Sequence, residues 1–546
     1  MLRLDNNEGS WVSDQDARRF SESPPATLRN YPSASFLEQA IAGRCGVRAD
    51  QVLVTAGADD AIDRCFRVFL GSNTELILTA PTFQQFHRFA ASTPTVVREV
   101  PWVADFPRDE VVRTITPNTA MVAYATPNNP TGLTASADDL QALSAALPGG
   151  WVMLDHAYVE YADEDLTSLA VTLPNVVVIR TFSKAWGMAG CRVGYLIAPE
   201  GAVRKMRAVG NPYPVSGVSL SIVAQRYAES GEEVADHVTR VRVEREAIKN
   251  LLERHQVPVP ASSANFLFPH FGDRTDFVRS ALAARDIVVR EFPDRAELRE
   301  GLRISLPDDG ASLAGLTSAL TLALDPQALL FDMDGVLADT RQSYTRCTIE
   351  TAQHFGADVT AAEVEAVVCS GEANNDWIVV QRLLAKHGIG VGLDTIRDRF
   401  QLLYHGSAAA GSPPGHKMLE TATVRAGELR TIAGKRGIGI VTGRPRAEAV
   451  EFLARFNLKD DVDAMVCMEE GPLKPDPWPV ARVMRRLGVT SAWMIGDTPD
   501  DINAAESAGI LGIGMTTDTG PRAASLVQTG AVAVIPNIQS LKRFLP

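Results

Sequence analysis

The sequence predicts two α/β units joined in one chain, and three observations carry that expectation. Short apolar, β-branched runs alternate with helical stretches through the first ~200 residues: Val52 to Thr55, Leu76 to Thr79, Met121 to Ala125, Trp151 to Asp155 and Val176 to Thr181. That alternation argues for βαβ units around a buried, mostly parallel sheet. The pattern then changes, from Val203 to about Leu324, to longer charged helices such as His237 to His255 mixed with strands at Phe266 to Phe268 and Leu302 to Ser305. This reads as a smaller α+β lobe. A second βαβ series starts at Ala328 to Asp332 and resumes with Gly437 to Thr442, Ala492 to Gly496, Leu511 to Met515 and Ala533 to Ile535.

Between the first two strands of that second series lies a mainly helical insert, 343–421, so its core is expected over 326–342 and 422–546. The first domain is then 1–324, with a large part at about 45–202, and the second is 325–546. The junction near Asp325-Pro326 has no Gly/Ser or Pro-rich spacer. Only a short Ala/Gly/Ser/Pro patch at Ser407 to Gly415 is of low complexity.

Composition narrows the partners. At 546 residues and 45% hydrophobic content, the chain can bury more than one core. A net charge of -13 and a pI near 5.3 provide no basic surface for a nucleic-acid backbone, so small molecules are the expected partners. Six cysteines without CxxC pairs match neither a zinc site nor a disulfide scaffold. The first eight residues lack the apolar core of a signal peptide, and no apolar run approaches the ~20 residues of a membrane span. No membrane role and a cytoplasmic location are therefore expected.

The first candidate site rests on four motifs. In Thr181-Phe-Ser-Lys184-Ala-Trp-Gly-Met-Ala-Gly-Cys-Arg192, a lysine just after a strand can form an imine with an aldehyde cofactor, and Ser183 and Arg192 can hold its phosphate. Alone, such a lysine is usually a surface residue. Asp155 closes the strand Val-Met-Leu-Asp155, where a carboxylate can pair with a pyridinium nitrogen, and Tyr158 follows it; a strand-end Asp also commonly caps a helix. Thr126-Pro-Asn-Asn129-Pro-Thr-Gly132 forms a turn after another strand. Gly57-Ala58-Asp59-Asp60 opens a helix whose free N–H groups can receive a phosphate.

In this order and spacing the four motifs resemble the fold-type I pyridoxal-phosphate aminotransferases, above all the histidinol-phosphate aminotransferase group, over nearly all of residues 1–324. The resemblance implies that Lys184 bonds to the cofactor aldehyde and then carries the substrate proton. It also implies that Asp155 binds the pyridine nitrogen, Asn129 and Tyr158 the phenolate oxygen, and that Phe83 stacks on the ring. Asn30-Tyr31-Pro32 resembles the segment whose tyrosine reaches the neighbouring subunit's cofactor, which implies a homodimer. Gly301-Leu-Arg303-Ile-Ser resembles the strand carrying the group's anion-binding arginine, and Arg290 lies where a second substrate arginine belongs. Two guanidiniums suit a phosphate, and a glutamate carboxylate in the other half-reaction. This sequence departs from the group at His156, usually acidic, at Gly9-Ser10, usually a proline-containing turn, and at Phe83, where a hydroxyl is common.

The second candidate site begins at Leu330-Phe-Asp332-Met-Asp334, two acids leaving a strand end, one placed to attack phosphorus and the other to exchange a proton. A lone DxD is common in loops. Here Ile440-Val-Thr442-Gly-Arg, Gly471-Pro-Leu-Lys474-Pro and Met494-Ile-Gly-Asp497-Thr-Pro-Asp-Asp501 follow in order. Together they resemble the haloacid dehalogenase superfamily, with the helical insert as its cap on a Rossmann-like core. The resemblance implies an aspartyl phosphate on Asp332, proton transfer by Asp334, and phosphoryl contacts from Thr442 and Lys474. It places Mg²⁺ among Asp332, the Asp334 carbonyl, Asp497 and Asp501. The cap turn Ser370 to Asp376 is either an interhelical loop or a segment that reaches the site.

Both expected activities act on phosphate esters. The simplest joint reading is transamination of imidazole acetol phosphate by glutamate, then hydrolysis of histidinol phosphate. Alternatives are another phosphorylated amino alcohol of secondary metabolism or a phosphothreonine-type decarboxylase joined to a phosphatase. A regulator built on the aminotransferase fold would carry a basic helix-turn-helix, and none is visible before Asp5 or after Asp325.

Overall fold

A computed structural model describes residues 1–9, 14, 18, 25–371, 375–407 and 414–545. Ser10, the middle of the Ser370 to Asp376 turn (372–374) and most of the 407–415 patch (408–413) lie outside the described residues. The chain divides into two compact units, one of residues 2–275 and 288–315, the other of 276–287 and 316–546 with Met1.

In the first unit seven strands form one sheet: β1 (Val52–Thr55), β2 (Glu75–Ala80), β3 (Val96–Pro101), β4 (Thr119–Ala125), β5 (Trp151–Asp155), β6 (Val176–Thr181) and β7 (Gly194–Ile197). Their order is β1-β7-β6-β5-β4-β2-β3. Strands β2 to β6 run parallel, while β7 is antiparallel to both of its neighbours. All five apolar runs read from the sequence are strands here. β3 and β7 were not read: Val-Val-Arg-Glu-Val-Pro is an edge strand with five of six residues exposed, and β7 opens on a glycine directly after the lysine motif. The register sets Ala125, Asp155 and Ile179 level, so the segments after β4, β5 and β6 emerge at one sheet edge.

The second unit holds a six-stranded, all-parallel sheet of β8 (Ala328–Phe331), β9 (Gly437–Val441), β10 (Ala464–Val466), β11 (Ala492–Gly496), β12 (Leu511–Met515) and β13 (Ala533–Ile535). The order is β10-β9-β8-β11-β12-β13. Phe331 is level with Ile440 and Ile495, which brings Asp332, Thr442 and Asp497 out at the same carboxyl edge. The insert is helical, as expected, with helices Tyr344–His354, Ala361–Cys369, Asp376–Lys386 and Leu393–His405 around an apolar core of their own that includes Cys347, Val367, Leu384 and Phe400.

The helix Gly310–Leu324 ends where Pro326 has no N–H to offer the Leu322 carbonyl. The indole of fully buried Trp493, on β11, donates to that carbonyl at 2.8 Å instead. Phe277 packs edge-on to Trp493 and stacks on Phe544, with centroids 4.9 and 4.4 Å apart. Trp493→Phe keeps an aromatic ring but strands the Leu322 carbonyl. It should lower the urea midpoint of this unit's unfolding by an amount equivalent to about 1–3 kcal/mol; an unchanged midpoint would contradict the role assigned to that hydrogen bond.

Candidate functional sites

In the first unit a cleft of about 290 Å³ opens at the carboxyl edge of the sheet, and nearly every motif residue lines it. Lys184, Asp155, Tyr158, Asn129, Ser183, Arg192, Ala58, Asp59, Phe83, Arg290 and Arg303 all face it. Asp155 ends β5, is 4% exposed, and accepts one hydrogen bond, from the Ala157 N–H at 3.1 Å. Burial lifts its carboxyl to about 7. The Lys184 ammonium lies 5.5 Å from the Tyr158 ring centre.

The helix Gly57–Phe69 points its N-terminus at the Ser183 and Arg192 side of the cleft. Gly57 has φ +79°, and a Cβ there would meet Arg192 Nη2 at 2.7 Å, so glycine is needed for the guanidinium to lie against the helix start. Arg192 Nη1 donates to Ser183 Oγ at 3.5 Å and Nη2 to Asp59 at 3.3 Å. These donors and the cation form an anion cradle, while among the described residues no cation forms an ion pair with the buried Asp155 and Lys184 offsets its burial only in small part. The residues present therefore fit pyridoxal phosphate, with the phosphate at the helix start and the pyridine nitrogen at Asp155.

Other residues enter that the sequence reading missed. Asn7 Nδ2 donates to the Tyr158 hydroxyl at 3.1 Å and fixes the phenol. Arg303 donates to Asn129 Oδ1 at 2.7 Å and to the Asp5 carbonyl at 2.5 Å, so Asn129 orients the arginine as well as facing the cleft. Arg295 is a third guanidinium on the wall, held by Glu297 at 2.6 Å. The Asn-Asn-Glu stretch at residues 6–8 was the available signal for Asn7; nothing near Arg295 marked it. Tyr31 does not line this cleft; it is 81% exposed and stacks on Tyr213 with centroids 4.6 Å apart. His156 is buried, its Nδ1 2.5 Å from the Thr126 carbonyl, and burial lowers it to about 4, which leaves a neutral imidazole behind the strand.

The second unit assembles its motif residues around Lys474. The buried ammonium lies 2.9 Å from Asp332 and 2.5 Å from Asp501, and donates to the Val441 carbonyl at 3.1 Å. Thr442 is buried beside them, its Oγ1 accepting the Arg444 N–H at 3.1 Å. Carboxylate oxygens of Asp332, Asp497 and Asp501 lie within 4.8 Å of one another. Burial raises Asp497 to about 7 and raises Asp332 strongly. Gly335, φ +71°, leaves no room for a Cβ against the Asp497 carboxylate. Three buried acids against two cations, Lys474 and Arg522, make an all-oxygen donor set with surplus negative charge, which fits Mg²⁺.

The Asp334 carboxylate turns away from that trio. It pairs with Arg444, whose side chain is fully buried, at 2.5 Å, and Arg444 also binds buried Glu420 at 3.1 Å. Arg522 Nη1 donates to Asp497 at 2.8 Å while its other nitrogens hold Glu365 of the cap at 2.5 Å. Neither arginine was assigned from the sequence. Arg444 sat in the quoted Thr442-Gly-Arg triplet, whereas Arg522 lies in a separate helix with no motif around it.

These two sites define an enzyme with a transferase cleft and a hydrolase cavity in one chain. The aminotransferase class I and II family model matches residues 15–312, and the haloacid dehalogenase-like hydrolase model matches residues 326–509. A histidinol-phosphate aminotransferase of Thermococcus gammatolerans is 33% identical over 304 residues, 54% of this chain and 85% of that protein. An imidazoleglycerol-phosphate dehydratase of Phytophthora nicotianae is 37% identical over 218 residues, 38% of this chain; the chain spans about half, 48%, of that relative. The crystal structure of histidinol-phosphate aminotransferase from Sinorhizobium meliloti in complex with pyridoxal-5'-phosphate shares the fold, with a TM-score of 0.54 at 22% identity over 58% of this chain and 89% of that one. The chain belongs to the aminotransferase class I and II family and carries a haloacid dehalogenase-like hydrolase domain in addition. Among the described residues no helix is long and apolar enough to cross a membrane.

The buried Asp155 gives a pH signature in the cofactor-free protein. The unfolded carboxyl ionises near 3.8 and the folded one near 7. As pH rises between these values the unfolded state loses its proton first, so folding is progressively destabilised and the loss then levels off above 7. Asp155→Asn removes this term. The variant's urea midpoint for the transferase unit, relative to the parent, should rise from pH 4 to 7 by the equivalent of a few kcal/mol. A pH-independent difference would contradict the burial argument.

Proposed function

We propose that residues 1–324 transaminate a phosphorylated ketone, with imidazole acetol phosphate as substrate and glutamate as donor, and that residues 325–546 hydrolyse the resulting histidinol phosphate to histidinol. The observation that carries this reading is the pairing, in one chain, of an arginine-walled cofactor cleft with a buried Asp332–Lys474 phosphate site. The 33% identical histidinol-phosphate aminotransferase supports the substrate of the first half.

In the transferase cleft, bound pyridoxal phosphate would supply an electron sink for the carbanion formed at the substrate carbon. Lys184 removes and returns the proton at that carbon. Asp155 holds the ring nitrogen protonated, Tyr158 and Asn129 face the ring oxygen, and Phe83 stacks on the ring. Gly57, Ala58, Asp59, Ser183 and Arg192 hold the cofactor phosphate, and Tyr31 completes that site across a homodimer. Arg290 and Arg303 take the substrate's anionic group, in which bidentate guanidinium contacts favour phosphate or carboxylate over neutral groups.

In the hydrolase cavity, Asp332 Oδ attacks phosphorus as the ester P–O bond breaks, and Asp334 gives its proton to the departing alkoxide. Asp334 then takes a proton from water, which cleaves the acyl phosphate and frees Asp332 and inorganic phosphate. Lys474 and Thr442 neutralise and bind the phosphoryl oxygens. Asp332, Asp497, Asp501 and the Asp334 carbonyl would hold Mg²⁺, which supplies charge neutralisation. A cytoplasmic location follows from this metabolism.

Purified protein given histidinol phosphate should release inorganic phosphate, and Asp332→Asn should lower that rate by at least 10³-fold, a loss on the scale of removing a nucleophile. Given imidazole acetol phosphate and glutamate, the parent should form 2-oxoglutarate without carbon dioxide, and Lys184→Ala should not. Phosphate release equal in parent and Asp332→Asn would sink the hydrolase reading. Carbon dioxide in place of 2-oxoglutarate would replace transamination by decarboxylation.

A further inference from the structure

The cavity over Asp332 has a volume of about 1040 Å³ and is walled by the core acids and by cap residues that include Tyr344, Glu365 and Asp376. Three arginines line it, and each is already engaged. Arg341 pairs with Asp339 at 2.6 Å, Arg346 with Glu350 at 2.7 Å, and Arg522 divides itself between Glu365 and Asp497. Arg444, in the narrower pocket beside the cavity, has five N–H groups and five acceptor contacts: Asp334 from Nε and Nη2, the Tyr404 hydroxyl from Nη1, and Glu420 from Nη1 and Nη2.

Asp376 stands apart from this pairing. It opens the helix Asp376–Lys386 and lines both the main cavity and the narrower pocket, as Asp334 does. No cation pairs with it among the described residues. Burial first and the Asp334 carboxylate second push its carboxyl up to about 7, against a smaller opposing pull from Arg444, whose N–H groups are spent on Asp334, Tyr404 and Glu420. Asp332, Asp334 and Asp376 line one cavity, so an ester with its phosphorus at Asp332 would have its alcohol in the space that Asp376 shares.

We propose that Asp376 anchors an ammonium group on the leaving alcohol, so that the hydrolase cavity takes phosphate monoesters of amino alcohols and discriminates against the same esters without the amine. The proposal rests on the hydrolase reading above, since it needs Asp332 to mark the phosphoryl position. It also orders the two reactions. A phosphorylated ketone has no ammonium group, so it is spared from hydrolysis until transamination supplies one.

The test compares kcat/KM of the full-length, Mg²⁺-replete chain for histidinol phosphate and for its deamino analogue, an otherwise identical ester. The parent should prefer the amine-bearing ester by about 10- to 100-fold, the range of one charge-assisted contact in a sheltered site. Asp376→Asn should collapse that ratio to within about threefold of unity. The ratio is taken on the active fraction, so partial misfolding of the variant cancels. A parent that hydrolyses both esters equally, or a variant that keeps the parent's ratio, would overturn the ammonium anchor and leave the phosphatase intact. Release of phosphate from neither ester would overturn both.

Discussion

Carboxylates stranded at the carboxyl ends of parallel strands set the terms for both halves of this chain. A parallel sheet covered on both faces leaves its strand ends as one edge where polar groups converge. Asp155 at the end of β5, Asp332 after β8 and Asp497 after β11 all sit there and are at most 7% exposed. Holding ionised oxygens away from water is costly unless a cation stands within a few ångströms. Where the counter-charge comes from decides what each edge can do.

The two edges answer differently. In the hydrolase unit Lys474 lies within 2.9 Å of both Asp332 and Asp501, and Arg522 reaches Asp497, so most of the neutralisation is built in. What remains is a surplus of oxygen ligands suited to a divalent ion and a phosphoryl group that Lys474 can share. In the transferase unit Asp155 receives one backbone N–H and, among the described residues, no ion-paired cation, with Lys184 only a minor influence, and its carboxyl stays near 7 until something basic arrives. A pyridine nitrogen, which becomes a pyridinium on taking the proton, is such a group. The arginines of that cleft lie elsewhere, at the helix start that suits a phosphate and on the wall that suits a substrate anion.

Much of this was legible in the chain itself. Buried strands announce themselves as β-branched runs, and the residues at or just after their ends are placed by the sheet register, so Asp155, Lys184, Asp332, Thr442 and Asp497 reach their clefts in the order read, while Lys474 comes from a loop eight residues past β10. Contacts between distant segments left no such trace. Arg303 meets Asn129 across 174 positions, Arg522 meets Glu365 across 157, and neither partner's local sequence encodes the other. β3 escaped because an exposed edge strand has no apolar pattern, and β7 because its flanking glycines read as loop. The helix Thr275–Ala283 and the end of Gly310–Leu324, contiguous in sequence with the transferase, pack with the hydrolase through Phe277 and Leu322, a choice made by Trp493 more than two hundred residues from Phe277.

The central claim is that the two sites act in succession on one phosphate ester, and it is tested most directly by the order of events on the earliest substrate. The full chain, supplied with imidazole acetol phosphate, should release inorganic phosphate only when glutamate is present and Lys184 is intact, after histidinol phosphate has formed. Phosphate appearing at the same rate without glutamate, or from Lys184→Ala, would contradict the account.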